Sequence, residues 1–505
     1  GFLLCAEFSA NYMIFIGKFL KLMALPPLLA VLALAGCMTM PDVERPRLAT
    51  PDAALQARAA TMATEVALTE EAIPSEWWQL FNDATLTALQ TEAAQSNLDL
   101  LAAAARIEES HARLGLAQAA RRPQVSADAS YARSSLSENS PMAMLGAPTD
   151  STDLWSLGVQ AGWELDVWGY LQHLGDSAEA TLQASHFEMD AVRVSLAGGV
   201  ARTYLLLRGV QAQETIMEDN RQIAANLVRL AESRERHGVA TRFDAASARA
   251  DVASIEARLT QLHQQRDVLM NALALLLGKS PRELNDRLVA AELPAMPQRL
   301  PLGIPSELAQ KRPDILQADA QLRAAISDIG AAQADFYPRI SLTGGVGIQS
   351  IDFSDLGSWG SRYFSIGPTL HLPIFQGGRL KSNLALTEAR HRSAAIAYQQ
   401  TVLSAWHEVD DALNAYATEL KRHAQLEHAL TQNQTALQVA QRAYEQGTVD
   451  FTSVLVAQRS LLSSQSALAD SATASALSVV SLYRSLGGGW STELQPVAES
   501  AGEQT

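Results

Sequence analysis

The chain has 505 residues, of which 48% are hydrophobic and only 6% aromatic, and its formal net charge is −15. This length predicts more than one domain, and an apolar content dominated by Ala, Leu and Val favours long helices over an aromatic-rich β core. The negative charge argues against nucleic acid as a partner. We therefore predict a mainly helical protein.

The N-terminus predicts an exported lipoprotein. Residues 13–37 read MIFIGKFLKLMALPPLLAVLALAGC, a basic start followed by an apolar run and small residues, which is typical of a signal peptide. The ending LAGC is similar to a bacterial lipobox. We expect a signal peptide over residues 1–36, acylation of Cys37, and residues 1–12 as an upstream artefact; an ordinary signal peptide with a chance cysteine is the alternative. Met38, rather than Asp, favours sorting to the outer membrane.

A passage near residue 120 recurs later in the chain. Arg113–Ser126 reads RLGLAQAARRPQVS and Asp328–Ser341 reads DIGAAQADFYPRIS, with Gly, Ala-Gln-Ala, Pro and Ser in register at an offset of 215 residues. Further along the offset becomes 209, as in the match of Gly238 with Gly447. Two copies are too few for a solenoid, so the sequence indicates a duplicated unit.

Each copy begins with a helix that leads into two strands. In the first copy the helix is predicted from about Leu98 to Ala120, and Pro123 then ends it and lets the chain enter a strand, as Pro338 does in the second copy. Three later segments alternate apolar with small or polar residues: Trp155–Val167, Ile340–Ile348 and Phe364–Leu372. Aromatic residues lie at both ends of these segments. The pattern favours membrane barrel strands, with lipid outside and water inside, over a soluble half-buried sheet.

The strands are followed by unusually long helices. A helical pattern runs from Leu171 to about Arg236 and from Arg379 to about Gln446, which corresponds to helices about 100 Å long. Gly238 and Gly447 are favoured C-terminal stops. The return helices are predicted to begin at two good N-cap residues, Thr241 and Asp450. Each copy therefore ends in a helical hairpin.

Such a chain is expected to oligomerise. After the signal peptide no stretch offers the ~18 uncharged apolar residues that a membrane helix needs, so a membrane crossing would use the strands. Four strands cannot close a barrel, and an open edge cannot lie in lipid. Two chains would give eight strands with little free interior, whereas three would give twelve strands with room for a pore.

Motifs along residues 76–490 resemble the TolC-like outer membrane efflux proteins, specifically the lipidated NodT-type branch. They occur in order: WWQLFNDATLTALQTEAAQSNLDL, KRPDILQADAQLRAA, GAAQADFYPRISLTGG, LHLPIFQGGRLKSNL, AYEQGTVDFTSVLVAQRSLLSSQ and LYRSLGGGW. The resemblance implies a homotrimer in which a duplicated helix-strand-strand-helix-helix unit forms a 12-stranded outer-membrane β-barrel on a long 12-helix α-barrel in the periplasm. It also implies two partners, a periplasmic adaptor (membrane fusion) protein and an inner-membrane RND-type pump, besides outer-membrane lipid.

These observations predict a domain plan. After the signal peptide we expect a lipid-anchored segment over residues 37–75, a first efflux repeat over 76–280, a proline-rich linker over 281–304, a second repeat over 305–490 and a flexible tail over 491–505.

The resemblance also assigns functional positions. The matching tip positions, where the family's adaptor docks, are Gly238, Val239, Gly447 and Thr448. Family members often narrow the tunnel with an acidic ring, but the comparable stretch here has no carboxylate. We expect a neutral, hydrogen-bonded constriction instead, with Gln434 and Gln438 as the candidates.

The sequence predicts no enzyme, cofactor or metal site. Gly278-Lys279-Ser280 looks like the end of a phosphate loop, but Leu273 stands where the first glycine should be, so a helix terminus is favoured. Three functions stay open: a passive exit duct of a tripartite efflux pump for small molecules such as drugs, a TolC-type duct for type I protein secretion, and a coiled-coil structural lipoprotein. The strands disfavour the last, and acylation and the GGGW ending favour the first by resemblance only.

Overall fold

A computed structural model describes residues 68–69, 71–297, 299–301 and 312–488, so the predictions on Cys37, the signal peptide and the C-terminal tail lie outside the described residues. The chain divides into two units. The sheet unit comprises Ser110–Leu182 and Gln321–Ala395, and the helical unit comprises the remaining described residues.

Among the described residues, six long helices and four strands make up the two copies, one further helix precedes them, and a four-residue helix, Pro141–Met144, lies between the first two strands. The helices are α1 (Ala84–Ser96), α2 (Leu98–Ala119), α3 (Tyr170–Arg236), α4 (Arg242–Leu276), α5 (Pro313–Ala334), α6 (Arg379–Glu445) and α7 (Phe451–Ser485). The strands are β1 (Gln124–Ser134), β2 (Thr152–Leu165), β3 (Arg339–Ser350) and β4 (Arg362–His371). The order α2-β1-β2-α3-α4 is repeated as α5-β3-β4-α6-α7, which confirms the predicted duplicated unit.

Smaller elements flank the first copy. A 3-10 helix, Trp77–Phe81, precedes α1, and a two-residue strand, Leu68–Thr69, pairs in parallel with Leu300–Pro301. The separate helix α1 and this strand pair were not predicted, because two-residue strands leave no periodic pattern and α1 lies directly before α2. None of the helices that the structure describes is both long and apolar enough to cross a membrane.

The four strands of the sheet unit form one antiparallel sheet in the order β1-β2-β3-β4. Its register separates two chemical faces, because side chains alternate along each strand. Val159 lies opposite Val346, which lies opposite Phe364 on one face. The neighbouring row on the other face is small or polar: Gln160, Gly345 and Ser365. The predicted alternation is therefore continuous across β2, β3 and β4.

Aromatic groups occupy both ends of this sheet. At one end Trp155 packs against Tyr131 and Phe353, with ring centroids 4.3 and 5.0 Å apart. At the other end Trp168 stacks on Tyr337 at 4.9 Å and donates a hydrogen bond to the carbonyl of Pro338. The structure thus confirms the predicted placement of aromatic residues at the strand ends.

On the polar face a tyrosine lies across two glycines. A Cβ on Gly158 would stand 2.7 Å from the Tyr363 hydroxyl, and a Cβ on Gly347 would stand 2.7 Å from the same ring. Such distances are too short for non-bonded atoms, so both glycines are required for this position of Tyr363. Gly162, on the same strand and face, has no atom near its Cβ position.

The long helices α3 and α6 each contain 67 residues, as the helical patterns from Leu171 and from Arg379 predict. The Gly198-Gly199 pair lies within α3, and the helix continues through it. The return helices begin at the predicted N-caps, Thr241 and Asp450.

The core of the helical unit lies where α1, α3, α4, α6 and α7 come together. Trp77 is fully buried and stacks on Tyr483 with ring centroids 5.3 Å apart, and burial raises the pKa of Tyr483. Tyr204 donates to the Asp83 carboxylate, which caps α1, and burial raises the pKa of Tyr204 to about 12. These contacts fix the segment before α1 onto the helices of both copies.

Candidate functional site: the hairpin tips

The first hairpin turns in a Schellman motif. Gly238 has a φ of +72°, its N–H donates to the carbonyl of Glu235 at 2.9 Å, and the N–H of Val239 donates to the carbonyl of Arg234 at 2.9 Å. Such a motif satisfies the last helical carbonyls and needs a left-handed residue, which favours glycine. Helix α4 then begins with a capping box between Thr241 and Asp244.

The second hairpin repeats this geometry at equivalent positions. Gly447 has a φ of +71°, its N–H donates to the carbonyl of Tyr444, and the N–H of Thr448 donates to the carbonyl of Ala443 at 2.9 Å. Asp450 caps α7, and the hydrogen bonds from Ser453 lower the pKa of Asp450. The four predicted tip residues therefore lie in two matching turns.

The two tips differ in what they expose. Val239 and Phe243 of the first tip are each 67% exposed, whereas Phe451, next to the second tip, is 3% exposed. Neither Gly238 nor Gly447 has an atom within 4 Å of its Cβ position. The tips therefore offer open backbone and, at the first tip, apolar side chains for a partner. Phe243 was not singled out from the sequence, although an aromatic residue two positions after a helix cap is a usable signal.

Above the turns the two hairpins pack against each other. Phe451 and Leu455 of α7 join Ala245 and Ala248 of α4 in one apolar cluster, with Tyr444 packed against it. The guanidinium of Arg234 lies 4.4 Å from the centre of the Tyr444 ring, a cation–π contact. The tips are thus positioned relative to each other by buried apolar contact.

The predicted constriction residues lie on α6. Gln434 and Gln438 are one helical turn apart, and both are exposed. Their neighbour Asn433 donates to Ser464 of α7 at 2.5 Å. Among the residues of one protomer that the structure describes, none brings Gln434 or Gln438 into a constriction, so that assignment stays a prediction. Within the described part of the chain, no group of three His, Cys, Asp or Glu residues could hold a metal ion.

Comparison with known proteins decides the family. The family model "Outer membrane efflux protein" matches residues 89–279 and 304–488, which is more than half of the chain. The chain belongs to the outer membrane efflux protein family. This places it in the outer membrane with an extension into the periplasm, and efflux channels of this family are not enzymes.

Two curated relatives cover nearly the whole efflux protein. The efflux protein is 34% identical over 469 residues to the outer membrane protein OprJ of Pseudomonas aeruginosa, and the match covers 92% of this chain and 95% of OprJ. It is 32% identical over 476 residues to the toluene efflux pump outer membrane protein TtgI of Pseudomonas putida, covering 92% and 98%.

A solved structure agrees with this fold. The structure of the outer-membrane channel OprN matches the efflux protein with a TM-score of 0.83 at 31% identity, over 90% of this chain and 100% of that one. The efflux protein is therefore a homologue of the outer membrane channels of efflux pumps.

Proposed function

We propose that this chain is the exit duct of a tripartite efflux pump and conducts small toxic compounds passively from the pump and adaptor to the outside. The observation that carries the proposal is the register of the sheet, which gives it one apolar and one small or polar face. Strands with this alternation suit a wall between lipid and water.

The duct needs more than one copy. Strands β1 and β4 each pair on one side only, so one protomer leaves two edges of the sheet open. Open edges carry unpaired backbone groups, which lipid cannot satisfy. A homotrimer that pairs β4 of one protomer with β1 of the next would have twelve strands, enough for a water-filled interior. The same three copies would supply twelve long helices for the periplasmic tunnel.

The partners of the duct would be a periplasmic adaptor and, through it, an inner-membrane pump of the RND type. The tips at Gly238 and Gly447 suit adaptor docking, because their backbone is open and Val239 and Phe243 present apolar side chains. Acylation of Cys37 would add a lipid anchor, and Gln434 and Gln438 would narrow the assembled tunnel. The relative TtgI is the outer membrane protein of a toluene efflux pump, which favours small apolar cargo over the protein cargo of a type I secretion duct.

The docking proposal is tested by Gly447→Val. A β-branched residue at this positive φ costs roughly 1 kcal/mol or more, which is too little to unfold a large trimer. We expect the variant to keep its trimer and its membrane level, to lower efflux in drug-susceptibility assays and to crosslink less to the adaptor.

A matched control uses another open glycine. Gly146 also has a positive φ, +87°, and no atom within 4 Å of its Cβ position, but it lies in the β1–β2 loop. Gly146→Val should therefore leave efflux and crosslinking unchanged. Full activity of Gly447→Val, or a defect explained by loss of the trimer, would remove the tip as the docking site.

A further inference from the structure

The free edges of the sheet are strands β1 and β4. Every residue of β1 is exposed, and all but one residue of β4 are exposed, whereas many residues of the inner strands β2 and β3 are partly covered. A free strand edge carries unpaired N–H and C=O groups and pairs readily with another strand. In the proposed trimer each edge is therefore covered by the opposite edge of a second copy of this chain.

The two strand hairpins of the duplicated unit have the same register. Gln124 of β1 lies opposite Gly162 of β2. The residues 215 and 209 positions further along the chain, Arg339 of β3 and His371 of β4, also lie opposite each other. Strand β1 therefore corresponds to β3, and β2 corresponds to β4, residue by residue and without a shift.

The contact between the two copies inside one chain is a template for the contact between protomers. Strand β2 of the first copy pairs with β3 of the second copy, with Gln160 opposite Gly345. At the same offsets, the residue of β4 that is equivalent to Gln160 is Thr369, and the residue of β1 that is equivalent to Gly345 is Ser130. A contact between protomers that repeats the contact between copies thus places Thr369 opposite Ser130 of the next protomer.

Two residues further along each strand, the same register brings a donor to an acceptor on the polar face. It places His371 opposite Asp128 of the next protomer, and both side chains are exposed in one protomer. Among the residues that the structure describes, neither side chain has an ion-pair partner within its own chain. Arg339, which lies opposite His371 in the same chain, already donates to both carboxylate oxygens of Glu164 at 2.9 and 3.0 Å. Asp128 is therefore the carboxylate that is left for His371.

We propose that β4 of one protomer pairs with β1 of the next in this register, and that His371 donates a hydrogen bond to Asp128 of the next protomer. This register rests on the proposed homotrimer and identifies the residues that meet in it. An imidazole N–H can donate to a carboxylate whether or not the ring is charged. A shift by one residue would turn the polar face of β4 towards the apolar face of β1, so the alternation of side chains also favours this pairing.

Charge reversal tests the contact between His371 and Asp128. Asp128→Lys removes the acceptor and should lower the temperature at which the purified trimer dissociates in dodecyl sulfate. His371→Glu in the same chain reverses the pair and should restore that temperature. Asp150→Lys makes the same change of charge in the β1–β2 loop and should leave it unchanged. Wild-type dissociation of Asp128→Lys, or a double variant no more stable than Asp128→Lys, would overturn the contact.

Cysteine pairs test the register in the purified full-length protein, with the wild type as the control for its own cysteines. Mild oxidation should join Thr369→Cys to Ser130→Cys of the next protomer and give covalent dimers and trimers on denaturing gels without reductant. In the matched control, Ser134→Cys replaces Ser130→Cys on the same face, about 13 Å further along β1, which is beyond the reach of a disulfide. Crosslinking of the control pair alone, or of neither pair in a protein with the native mass of a trimer, would overturn the register. A native mass other than that of a trimer would contradict the proposed homotrimer itself.

Discussion

In both copies the C-terminal end of the return helix packs against the start of the opening helix. The two copies place the positive charge at this junction on different segments. In the first copy Lys279 follows the return helix α4 and pairs with Glu92 at 2.9 Å and Glu283 at 3.2 Å. The residues just before the opening helix α2 contribute neutral donors: the amide of Asn97 donates to the carbonyl of Leu276 at 2.9 Å, and the hydroxyl of Ser96 donates to the carbonyl of Leu277 at 2.8 Å.

In the second copy the arrangement is reversed. The position equivalent to Lys279 is a glycine, Gly488, and the position equivalent to Asn97 is Arg312. The buried guanidinium of Arg312 donates to the carbonyl of Ser485 at 2.8 Å and pairs with Asp314 and Glu408. Burial lowers the pKa of Arg312, but the two carboxylates more than offset this, so its pKa is raised.

The comparison indicates that the junction requires a cation and a hydrogen-bond donor, rather than a particular residue. The C-terminus of a helix carries partial negative charge and unsatisfied carbonyls, which a nearby cation and a donor stabilise. In the first copy Lys279 supplies the cation and Asn97 the donor. In the second copy Arg312 supplies both. Both copies therefore have a cation and a donor at the end of the return helix, but different side chains supply them.

The largest expected effect comes from Arg312. Arg312→Ala removes the donor to Ser485 and leaves two carboxylates without their cation, so we expect a loss of about 3 kcal/mol in unfolding free energy. Arg312→Asn reproduces the neutral donor of the first copy and should recover part of this loss. Denaturant unfolding of the purified protein measures both. Equal instability of the two variants would show that charge alone matters at this junction.

The second largest expected effect concerns the sheet, in which strand β2 of the first copy pairs with strand β3 of the second copy. Gly158→Ala, in a first-copy strand, should cost about 2 kcal/mol because its Cβ meets the hydroxyl of the second-copy residue Tyr363. Tyr363→Phe removes that hydroxyl and should rescue Gly158→Ala, whereas Gly162→Ala should be harmless. Melting temperatures of the purified proteins give the comparison. Failure of the rescue would mean that the glycine is needed for the backbone and not for Tyr363.

A smaller effect is expected at the helix caps. Thr241→Ala and Asp450→Ala, at equivalent positions of the two copies, should each cost about 1 kcal/mol. Thr241→Ala removes only the two hydrogen bonds of the Thr241 hydroxyl, since the backbone N–H of residue 241 still donates to Asp244, so it should not cost more than Asp450→Ala. Hydrogen exchange in the first turns of α4 and α7 reports each cap separately. Faster exchange in both helices after either single change would show that the tips open as one unit.

The smallest effect concerns pH at the first junction. Burial raises the pKa of Glu92, but hydrogen bonds from Lys279 and Arg287 more than offset it and lower that pKa below its usual value. This stabilisation is present above the unfolded pKa of about 4.3 and is lost as the pH falls through the folded value. Glu92→Gln should reduce the dependence of the melting temperature on pH in this acidic range. The corresponding change in unfolding free energy should be below about 1 kcal/mol. An unchanged pH profile in Glu92→Gln would assign the acid sensitivity to other carboxylates.

The sequence by itself determined the duplicated plan and the ends of its main elements. Alternation along β2, β3 and β4, the long proline-free helices and the stops at Gly238 and Gly447 are local properties, because pleat, helical period and capping act over a few residues. The tip positions could be predicted for the same reason. Cys37 and the constriction at Gln434 and Gln438 remain predictions.

Only the tertiary structure decided which distant residues meet. Tyr363 covers Gly158, Arg312 bonds to Ser485, and Phe451 is buried whereas Phe243 is exposed. Each of these depends on how segments far apart in the chain cross.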